Sequence, residues 1–276
     1  MDKIKLSAIA NEIRKGALTA VYSAQSGHPG GSLGIADILA YLYFEEMNVD
    51  PENPKMEDRD RLVLSKGHTS PALYAALAEK GFFPKEDLKT FRHKDSYLQG
   101  HPDMKNIPGV DMSTGSLGLG VSAACGMALS GKISEKTYRV WAILGDGESQ
   151  EGQVWEAAMF ASHYGLNNLA IFVDCNGLQI DGATADVMNP EPFDEKYRAF
   201  GWNTMVIDGH DFDQIDAAVK AAKSSDKPFA IIAKTVKGKG VSYMENKCEW
   251  HGSAPKEEQY EIGMKDLENA VCVEVK

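Results

Sequence analysis

The chain has 276 residues, of which 43% are hydrophobic and 25% are charged, an ordinary composition for a soluble globular protein. It has 29 lysines and arginines and 40 aspartates and glutamates, which give a net charge of −11. This charge argues against nucleic acid as a partner, because no basic tract offsets it. The four cysteines show no CxxC spacing, no apolar run has transmembrane length, and the N-terminus lacks a signal-peptide core, so we expect a cytoplasmic protein without a membrane partner.

The first part of the chain alternates helical patterns with glycine-containing loops. Apolar residues spaced three to five positions apart predict a helix over residues 5–24, and residues 35–44 predict a second helix. Residues 62–64 are typical of a short buried strand, and residues 71–80 predict a helix that a glycine ends. Residues 82–114 show little regular pattern, which in a compact domain is typical of a functional loop.

In the second part, apolar strands alternate with helices. This alternation predicts an α/β fold, a parallel sheet with helices on both faces. No linker or repeat interrupts the sequence, so we expect residues 1–276 to form one domain, with a polar tail at the surface from about residue 256. The other predicted elements are a helix at 117–129, strands at 140–144, 168–173, 204–207 and 228–233, and a helix at 212–223.

The most informative stretch is the predicted strand–helix–strand unit over residues 140–182. Its first strand ends in Gly-Asp-Gly, with Asp146 at the centre, and its second strand ends in Asp-Cys-Asn, with Asn176 last. Both side chains therefore follow the carboxyl ends of strands, where open α/β sheets bind ligands. They are hard oxygen ligands separated by 30 positions, which suits a Mg²⁺ ion that also holds a diphosphate. The flanking glycines, including Gly147, let a phosphate approach the backbone.

The histidines are placed unusually. Five of the seven lie next to a glycine, at breaks between predicted elements rather than inside apolar segments. Any one of them alone is more often a turn or surface histidine, but together they favour a shared site, since imidazole donates or accepts a proton near neutral pH. These five are His28, His68, His101, His210 and His251.

The segment GDGESQEGQVWEAA, with DCNGLQIDG after it, resembles the thiamine-diphosphate motif of transketolases. An ordinary turn in a strand–helix–strand unit is the alternative for Gly-Asp-Gly alone, but the further matching residues favour the motif. The resemblance implies thiamine diphosphate and Mg²⁺, or Ca²⁺ or Mn²⁺, as cofactors. It also implies a metal site made by Asp146, Asn176 and the backbone carbonyl of Leu178.

Four short histidine segments, SGHPG, SKGH, GHPD and WHG, resemble transketolase loops that carry catalytic residues. By this resemblance His28 contacts the sugar and takes part in proton transfer, and His101 lies at the hydroxyls of the donor. His68 reaches the diphosphate near the reacting carbon, and His251 is a second histidine at the diphosphate. The remaining glycine-flanked histidine, His210 in DGHD, also resembles a residue of the family, and we interpret it as structural.

A further loop, TGSLGLG, resembles a transketolase loop that packs against the cofactor. Its matching residues are Gly115 and Leu117, and Gly147 of the Gly-Asp-Gly turn is also expected to contact the cofactor. Ser116 stands where the family usually has a proline, so we expect this loop to be less rigid.

Four more residues are assigned to the cofactor site by the resemblance. Ile180 and Val236 fall where apolar groups flank the thiazolium ring, although core packing explains them equally well. Glu151 and Glu156 match an acidic network that crosses a subunit interface, although they are also unremarkable as exposed helix charges. The glycine-rich segment 237–240 is expected to be a flexible loop that closes over the cofactor.

The resemblance covers nearly all of this chain but only the first part of a full-length transketolase. The pyrimidine-binding module of that family, with the glutamate that hydrogen-bonds the aminopyrimidine of the cofactor, lies outside this part. Most of the arginines that bind the sugar phosphate lie outside it as well. The resemblance therefore implies an N-terminal subunit of a split transketolase, active only with a C-terminal partner in an α2β2 heterotetramer. Its reaction would move a two-carbon ketol unit from a ketose to an aldose.

Two alternatives stay open. One is another thiamine-diphosphate carboligase subunit, of the 1-deoxyxylulose-phosphate or dihydroxyacetone synthase type. The other is a non-catalytic subunit that binds cofactor or partner for regulation, which the intact metal ligands and histidines argue against. The donor and acceptor sugars also stay open among phosphorylated, sulfonated and neutral ones.

Overall fold

A computed structural model describes residues 1–274 of the chain, with side chains to residue 270. The main sheet contains β1 (Arg61–Leu64), β2 (Val140–Gly145), β3 (Leu169–Cys175), β6 (Asn203–Asp208) and β7 (Phe229–Lys234). All neighbours in it are parallel, in the order β1-β2-β3-β7-β6. A small antiparallel pair, β4 (Leu178–Gln179) and β5 (Gly182–Ala183), follows β3. The predicted parallel α/β fold is confirmed.

The helices connect these strands and cover the sheet. They are α1 (Lys3–Ala24), α2 (Pro29–Gly34), α3 (Ala36–Tyr41), α4 (Ser70–Lys80), α5 (Leu119–Ile133), α6 (Gly152–His163), α7 (Thr184–Met188), α8 (Phe193–Ala199), α9 (Phe212–Ser224) and α10 (Glu257–Glu274). Each predicted helix and strand is present, with ends shifted by a few residues. Regular structure within residues 82–114 is limited to a 3₁₀ segment, Lys85–Thr90, as the sequence predicted.

The inner strands β2, β3 and β7 are nearly all apolar because both faces of the sheet are buried there, whereas the edge strand β6 is partly exposed. Along β2, Trp141 and Ile143 pack on one side against α1, α3, α4 and α9. The alternate residues, Ala142 and Leu144 among them, pack on the other side against α5, α6 and α8. Burial on two faces removes the apolar–polar alternation of a half-exposed strand and leaves the continuous apolar runs seen in the sequence.

The helix α10 was not predicted. It lies along α1, where Leu267 is fully buried beside Leu18 and Val241, and its backbone carbonyl accepts a hydrogen bond of 2.8 Å from Asn11 Nδ2. The charged residues of its other face, such as Glu268, are exposed. None of the helices within residues 1–274 is long and apolar enough to cross a membrane.

The sheet brings four chain segments to one edge. The carboxyl ends of β1, β2, β3 and β7 are neighbours, so the residues that follow them lie side by side. Gly145 pairs with Asp174, and Cys175 pairs with Lys234, which aligns the ends of β2, β3 and β7. Ligands of open α/β sheets bind at this edge.

Candidate active site

A cavity of about 360 Å³ opens at this edge of the sheet, and most of the predicted site residues line it. Three predicted residues, His101, Glu156 and Val236, do not line it. The predicted residues that do are His28, His68, Gly115, Leu117, Asp146, Gly147, Glu151, Asn176, Leu178, Ile180 and His251.

The three predicted metal ligands follow two neighbouring strands: Asp146 comes directly after β2, and Asn176 and Leu178 come after β3. The carboxylate of Asp146 is buried and accepts hydrogen bonds from the backbone N–H groups of Gly147 at 2.8 Å and Gly177 at 2.6 Å. The Asn176 carboxamide oxygen accepts the Leu178 N–H at 3.1 Å. Burial, and then the nearby Asp174 carboxylate, raise the pKa of Asp146 to about 6. A divalent cation would offset both effects, because it favours the charged carboxylate.

A buried ion pair lies at the floor of the cavity. Lys66 follows β1, and its ammonium is 2.5 Å from the Asp174 carboxylate of β3, with side-chain exposures of 3% and 0%. The intervening strand β2 carries Gly145 at this point, and the Lys66 chain lies against that glycine. Burial alone would raise the pKa of Asp174, but the Lys66 ammonium and the hydrogen bonds from Thr235 and Asn176 hold it below its ordinary value.

A second lysine, Lys237, points into the same cavity from the segment after β7. It is buried, and its ammonium lies 3.3 Å from the Leu178 carbonyl oxygen and 2.9 Å from Nδ1 of His251. Burial, and then the nearby Lys66, lower the pKa of Lys237 to about 8. The cavity therefore holds two cations beside its carboxylates, a charge distribution that suits an anionic ligand together with a metal ion.

Three imidazoles form a cluster at the cavity wall. The ring centroids of His28, His68 and His251 are 5.0, 5.1 and 5.4 Å apart. Burial and nearby cations lower the pKa of all three rings: to about 4 for His28, to about 3 for His251, and well below the usual value for His68. The rings are therefore neutral at pH 7. His28 Nδ1 is buried and has no hydrogen-bond partner within the described residues, so it is free for a ligand.

The fourth predicted catalytic histidine, His101, is exposed and lies next to Gly115 of the cavity lining. Its ring packs on Gly115, where a Cβ atom would come within 2.8 Å of the ring, and the φ angle of Gly115 is +147°. Both facts require glycine at this position. Burial, and then the Arg92 guanidinium, lower the pKa of His101. Arg92 also donates a hydrogen bond of 3.0 Å to Ser26, next to the loop of His28.

Apolar side chains lie exposed at the mouth of the cavity. Leu117 is 39% exposed and Ile180 is 66% exposed, although both line the cavity. Met188 is also exposed, and its carbonyl is bound by the Gln150 side chain at 2.7 Å. Apolar groups exposed together around a polar cavity mark a place where a ligand or another chain binds.

Val236 and Glu156 are placed elsewhere. The backbone of Val236 lies beside the cavity, where its carbonyl packs on Gly34 and its N–H donates to His210 Nε2 at 2.9 Å. Glu156 lies on α6 in a groove toward α5, together with Ser122. His210 binds Asp37 through its other ring nitrogen, outside the cavity.

Several polar residues of the site were not predicted. Lys66, Asp174 and Lys237 are described above, and Glu148 is a fourth. Its buried carboxylate accepts hydrogen bonds from Ser65 Oγ at 2.5 Å and from the backbone N–H groups of Gly118 and Gly145 at 2.9 and 3.0 Å. Glu148 thereby joins the Gly-Asp-Gly turn to the loop before α5. Lys66 and Lys237 could have been predicted as site residues from their position shortly after the strands β1 and β7, as Asp146 was from its position after β2.

Comparison with known proteins decides the family. Residues 5–268 match the domain described as "Transketolase, thiamine diphosphate binding domain". The chain belongs to the transketolase family. Transketolases are transferases, and the thiamine diphosphate predicted from the sequence is supported by this domain match.

The relatives of this transketolase chain include subunits of similar length. It is 49% identical over 268 residues to the 6-deoxy-6-sulfo-D-fructose transketolase subunit SqwG of Clostridium sp. (strain MSTE9), covering 97% of this chain and 98% of that protein. It is 40% identical over 262 residues to a subunit of the apulose-4-phosphate transketolase of Phocaeicola vulgatus, covering 94% and 92%. These matches support the predicted correspondence to one subunit of a split transketolase.

Longer transketolases match over part of their length. The human transketolase is 43% identical over 255 residues, which are 91% of this chain and 40% of that protein. The crystal structure of the Campylobacter jejuni transketolase superposes with a TM-score of 0.91 at 35% identity, covering 97% of this chain and 43% of that chain. The fold of the thiamine-diphosphate-binding module is thereby confirmed.

Proposed function

We propose that this chain is the diphosphate-binding subunit of a two-polypeptide transketolase, and that residues 1–276 form one domain. The observation that carries the proposal is the cavity at the sheet edge. It joins the Asp146–Asn176–Leu178 oxygens, two buried lysines and three neutral imidazoles. In the proposed reaction a two-carbon ketol unit passes from a ketose to an aldose.

The residues of the cavity fit thiamine diphosphate with Mg²⁺, or with Ca²⁺ or Mn²⁺ in its place. The cavity volume of about 360 Å³ is in the range of small-molecule sites. Asp146, Asn176 and Leu178 offer oxygen ligands, and Lys237 would offset part of the charge of a diphosphate, while Lys66 neutralises Asp174 beneath them. When bound, thiamine diphosphate supplies a reactive thiazolium carbon and an electron sink.

Lys237 has a separate role in this scheme. Its ammonium contacts the Leu178 carbonyl, one of the oxygens assigned to the metal. A metal ion and a diphosphate arriving together would give that ammonium an anionic partner in exchange for the carbonyl. The pKa of about 8 keeps most of the Lys237 side chain charged at neutral pH, since one unit below the pKa about nine tenths is protonated.

We assign the histidines by their positions around the cavity. His68 and His251 lie closest to the lysines and would donate to the diphosphate, because a neutral imidazole still carries one N–H. His28 and His101 would hold hydroxyls of the donor, with the unpartnered Nδ1 of His28 able to exchange a proton with a substrate oxygen. A neutral ring can accept that proton at once, whereas an imidazolium would first have to lose one.

A second polypeptide would complete the site. The exposed apolar side chains of Leu117, Ile180 and Met188 at the cavity mouth suit burial by a partner that carries the pyrimidine module. A second copy of the chain would pack on the α5–α6 face, where Met159 and Phe160 are exposed beside the groove of Glu156. These two contacts would give the α2β2 heterotetramer, with Glu151 and Glu156 near the contact between copies.

For the substrate, we propose a ketose with a terminal anion. The 49% identical relative is named for 6-deoxy-6-sulfo-D-fructose and the 40% identical relative for apulose 4-phosphate. The higher identity favours a sulfonated donor over a phosphorylated one, and pentose phosphates are the next to be tested. Cys125, Cys175 and Cys248 are free thiols, which fits the reducing cytoplasm as the place of action.

The test is to co-purify the chain with the polypeptide encoded beside its gene and to measure ketol transfer with thiamine diphosphate and Mg²⁺. Sulfonated, phosphorylated and neutral ketoses are compared as donors, with the same acceptor aldose. Transfer from a sulfonated or phosphorylated ketose supports the proposal. Activity with pyruvate instead would indicate a 1-deoxyxylulose-phosphate synthase type, and cofactor binding without any turnover would indicate a regulatory subunit.

A further inference from the structure

A buried polar network lies behind the cofactor cavity, on the other side of the segment that carries Lys237. Asp37 of α3 is buried and accepts a hydrogen bond from the Arg14 guanidinium of α1. It also accepts one of 2.7 Å from Nδ1 of His210, in the turn between β6 and α9. Burial alone would raise the pKa of Asp37, but Arg14 and His210 hold it below the ordinary value. The carboxylate is therefore charged and fixed from two sides.

The geometry selects one form of His210. Its Nε2 lies 2.9 Å from the backbone nitrogen of Val236 and accepts that N–H, so Nε2 carries no proton. Its Nδ1 must then carry the ring proton, which it donates to Asp37. Asp37 thus sets the tautomer of His210, and the tautomer makes the ring an acceptor for the backbone.

The bound N–H belongs to the residue before Lys237. On the other side, the N–H of Gly238 donates to the Gly30 carbonyl at 2.8 Å. The backbone of Lys237 is therefore held on both flanks, and its side chain runs from there to the Leu178 carbonyl and to His251. A lysine chain has four rotatable bonds, so an ammonium is placed accurately only when its backbone is fixed.

We infer that His210, oriented by Asp37, is a positioning residue that holds Val236 so that the Lys237 ammonium faces the diphosphate site. The inference rests on the proposed function. The alternative is a histidine that serves stability alone, as any satisfied buried polar group does. The two differ in what a substitution changes, because the positioning role depends on the acceptor at Nε2 and not on the ring itself.

Two matched variants separate the nitrogens of His210. In His210→Gln the amide oxygen reaches the place of Nε2 and still accepts the Val236 N–H. In His210→Asn the shorter amide reaches the place of Nδ1 and keeps the bond to Asp37 but leaves Val236 without its acceptor. Hydrogen exchange of the Val236 amide is followed by NMR in the full chain, and thiamine diphosphate is titrated with Mg²⁺ into the complex with the partner polypeptide.

In the Asn variant we expect the Val236 amide to exchange at least tenfold faster. The complex with the Asn variant should bind thiamine diphosphate with a dissociation constant about 10-fold higher, the lower end of the effect of removing a supporting hydrogen bond. In both measurements the Gln variant should stay within about threefold of the unmodified protein, which is less than the tenfold change that corresponds to 1.4 kcal/mol. Equal behaviour of the two variants, or an unchanged Asn variant, would overturn the inference.

A third measurement needs no variant. The ¹⁵N chemical shifts of the His210 ring report which nitrogen carries the proton, and a proton on Nε2 would exclude the bond to Val236. The exchange and tautomer results do not depend on the cofactor. If the unmodified complex bound no thiamine diphosphate, the proposed function would fail while these two results still decided whether His210 holds Val236.

Discussion

Breaking the buried pair of Lys66 and Asp174 should destabilise the fold strongly. Replacing Lys66 by Met keeps the aliphatic volume and removes the ammonium, which leaves the Asp174 carboxylate buried with only the hydrogen bonds from Thr235 and Asn176. Breaking a buried pair in this way typically costs about 3–5 kcal/mol. Total stabilities are about 5–15 kcal/mol, so the free energy of unfolding should fall by a large fraction.

The matched control is Lys220→Met. Lys220 pairs with Asp216 at 2.7 Å, but its side chain is 72% exposed, so its loss should cost less than about 1 kcal/mol. Urea unfolding of the full chain, followed by circular dichroism, compares the two variants. A Lys66→Met variant as stable as Lys220→Met would show that the unpaired Asp174 carboxylate costs little at this site and would refute the reasoning.

The loss of unfolding free energy in Lys66→Met should depend on pH in a defined direction. The pKa of Asp174 is lowered in the folded protein, so its contribution is present above the unfolded carboxyl pKa of about 4 and is lost as the pH falls through the lower folded value. Without the ammonium of Lys66, burial raises that pKa and the carboxyl takes up a proton more readily. The difference between Lys66→Met and the unmodified chain should therefore be smaller at pH 5 than at pH 8.

Three further outcomes are expected. The pKa of Asp146 is about 6, so Mg²⁺ binding measured by calorimetry in the presence of thiamine diphosphate should weaken as the pH falls below 6; an equal affinity at pH 5 and pH 8 would contradict this. NMR titration of the chain without cofactor should show His28 neutral down to about pH 4, and a midpoint near 6.5 would contradict its burial beside cations. Gly115→Ala should lower the unfolding free energy by at least about 1–3 kcal/mol, because its Cβ meets His101 and its φ is +147°. Gly126→Ala, where a Cβ meets nothing within 4 Å, is the control and should be neutral or stabilising, and equal losses would refute the steric argument.

The fold could be predicted from the sequence because the apolar residues of its helices and strands recur with clear periodicity. The apolar runs of β2 and β3 have the length of buried parallel strands, and α6 between them buries residues at helical spacing, from Val154 to Ala161. The helix α10 was missed although Tyr260, Met264 and Leu267 lie on one face of it. Glu261, Lys265 and Asp266 lie between them, and only packing on α1 distinguishes the helix from a polar tail.

The site was predictable in part. Asp146 and Asn176 follow from their places at strand ends, and the histidine loops follow from resemblance to the family. Lys66 and Asp174 lie 108 positions apart, and their pairing depends on strand order and register, which no local pattern encodes. The sequence predicts a structural role for His210, and only the two bonds of its ring show that it links Asp37 to the segment that carries Val236 and Lys237.

The most direct test of the account is ketol transfer by the purified complex of this chain and its partner, with either polypeptide by itself and with Asp146→Ala as comparisons. The reaction should require both polypeptides, thiamine diphosphate and Mg²⁺. The variant should lose activity while its circular dichroism stays unchanged, because Asp146 supplies the charged ligand of the proposed metal site. Turnover by this chain alone, or an Asp146→Ala complex with undiminished activity, would contradict the account.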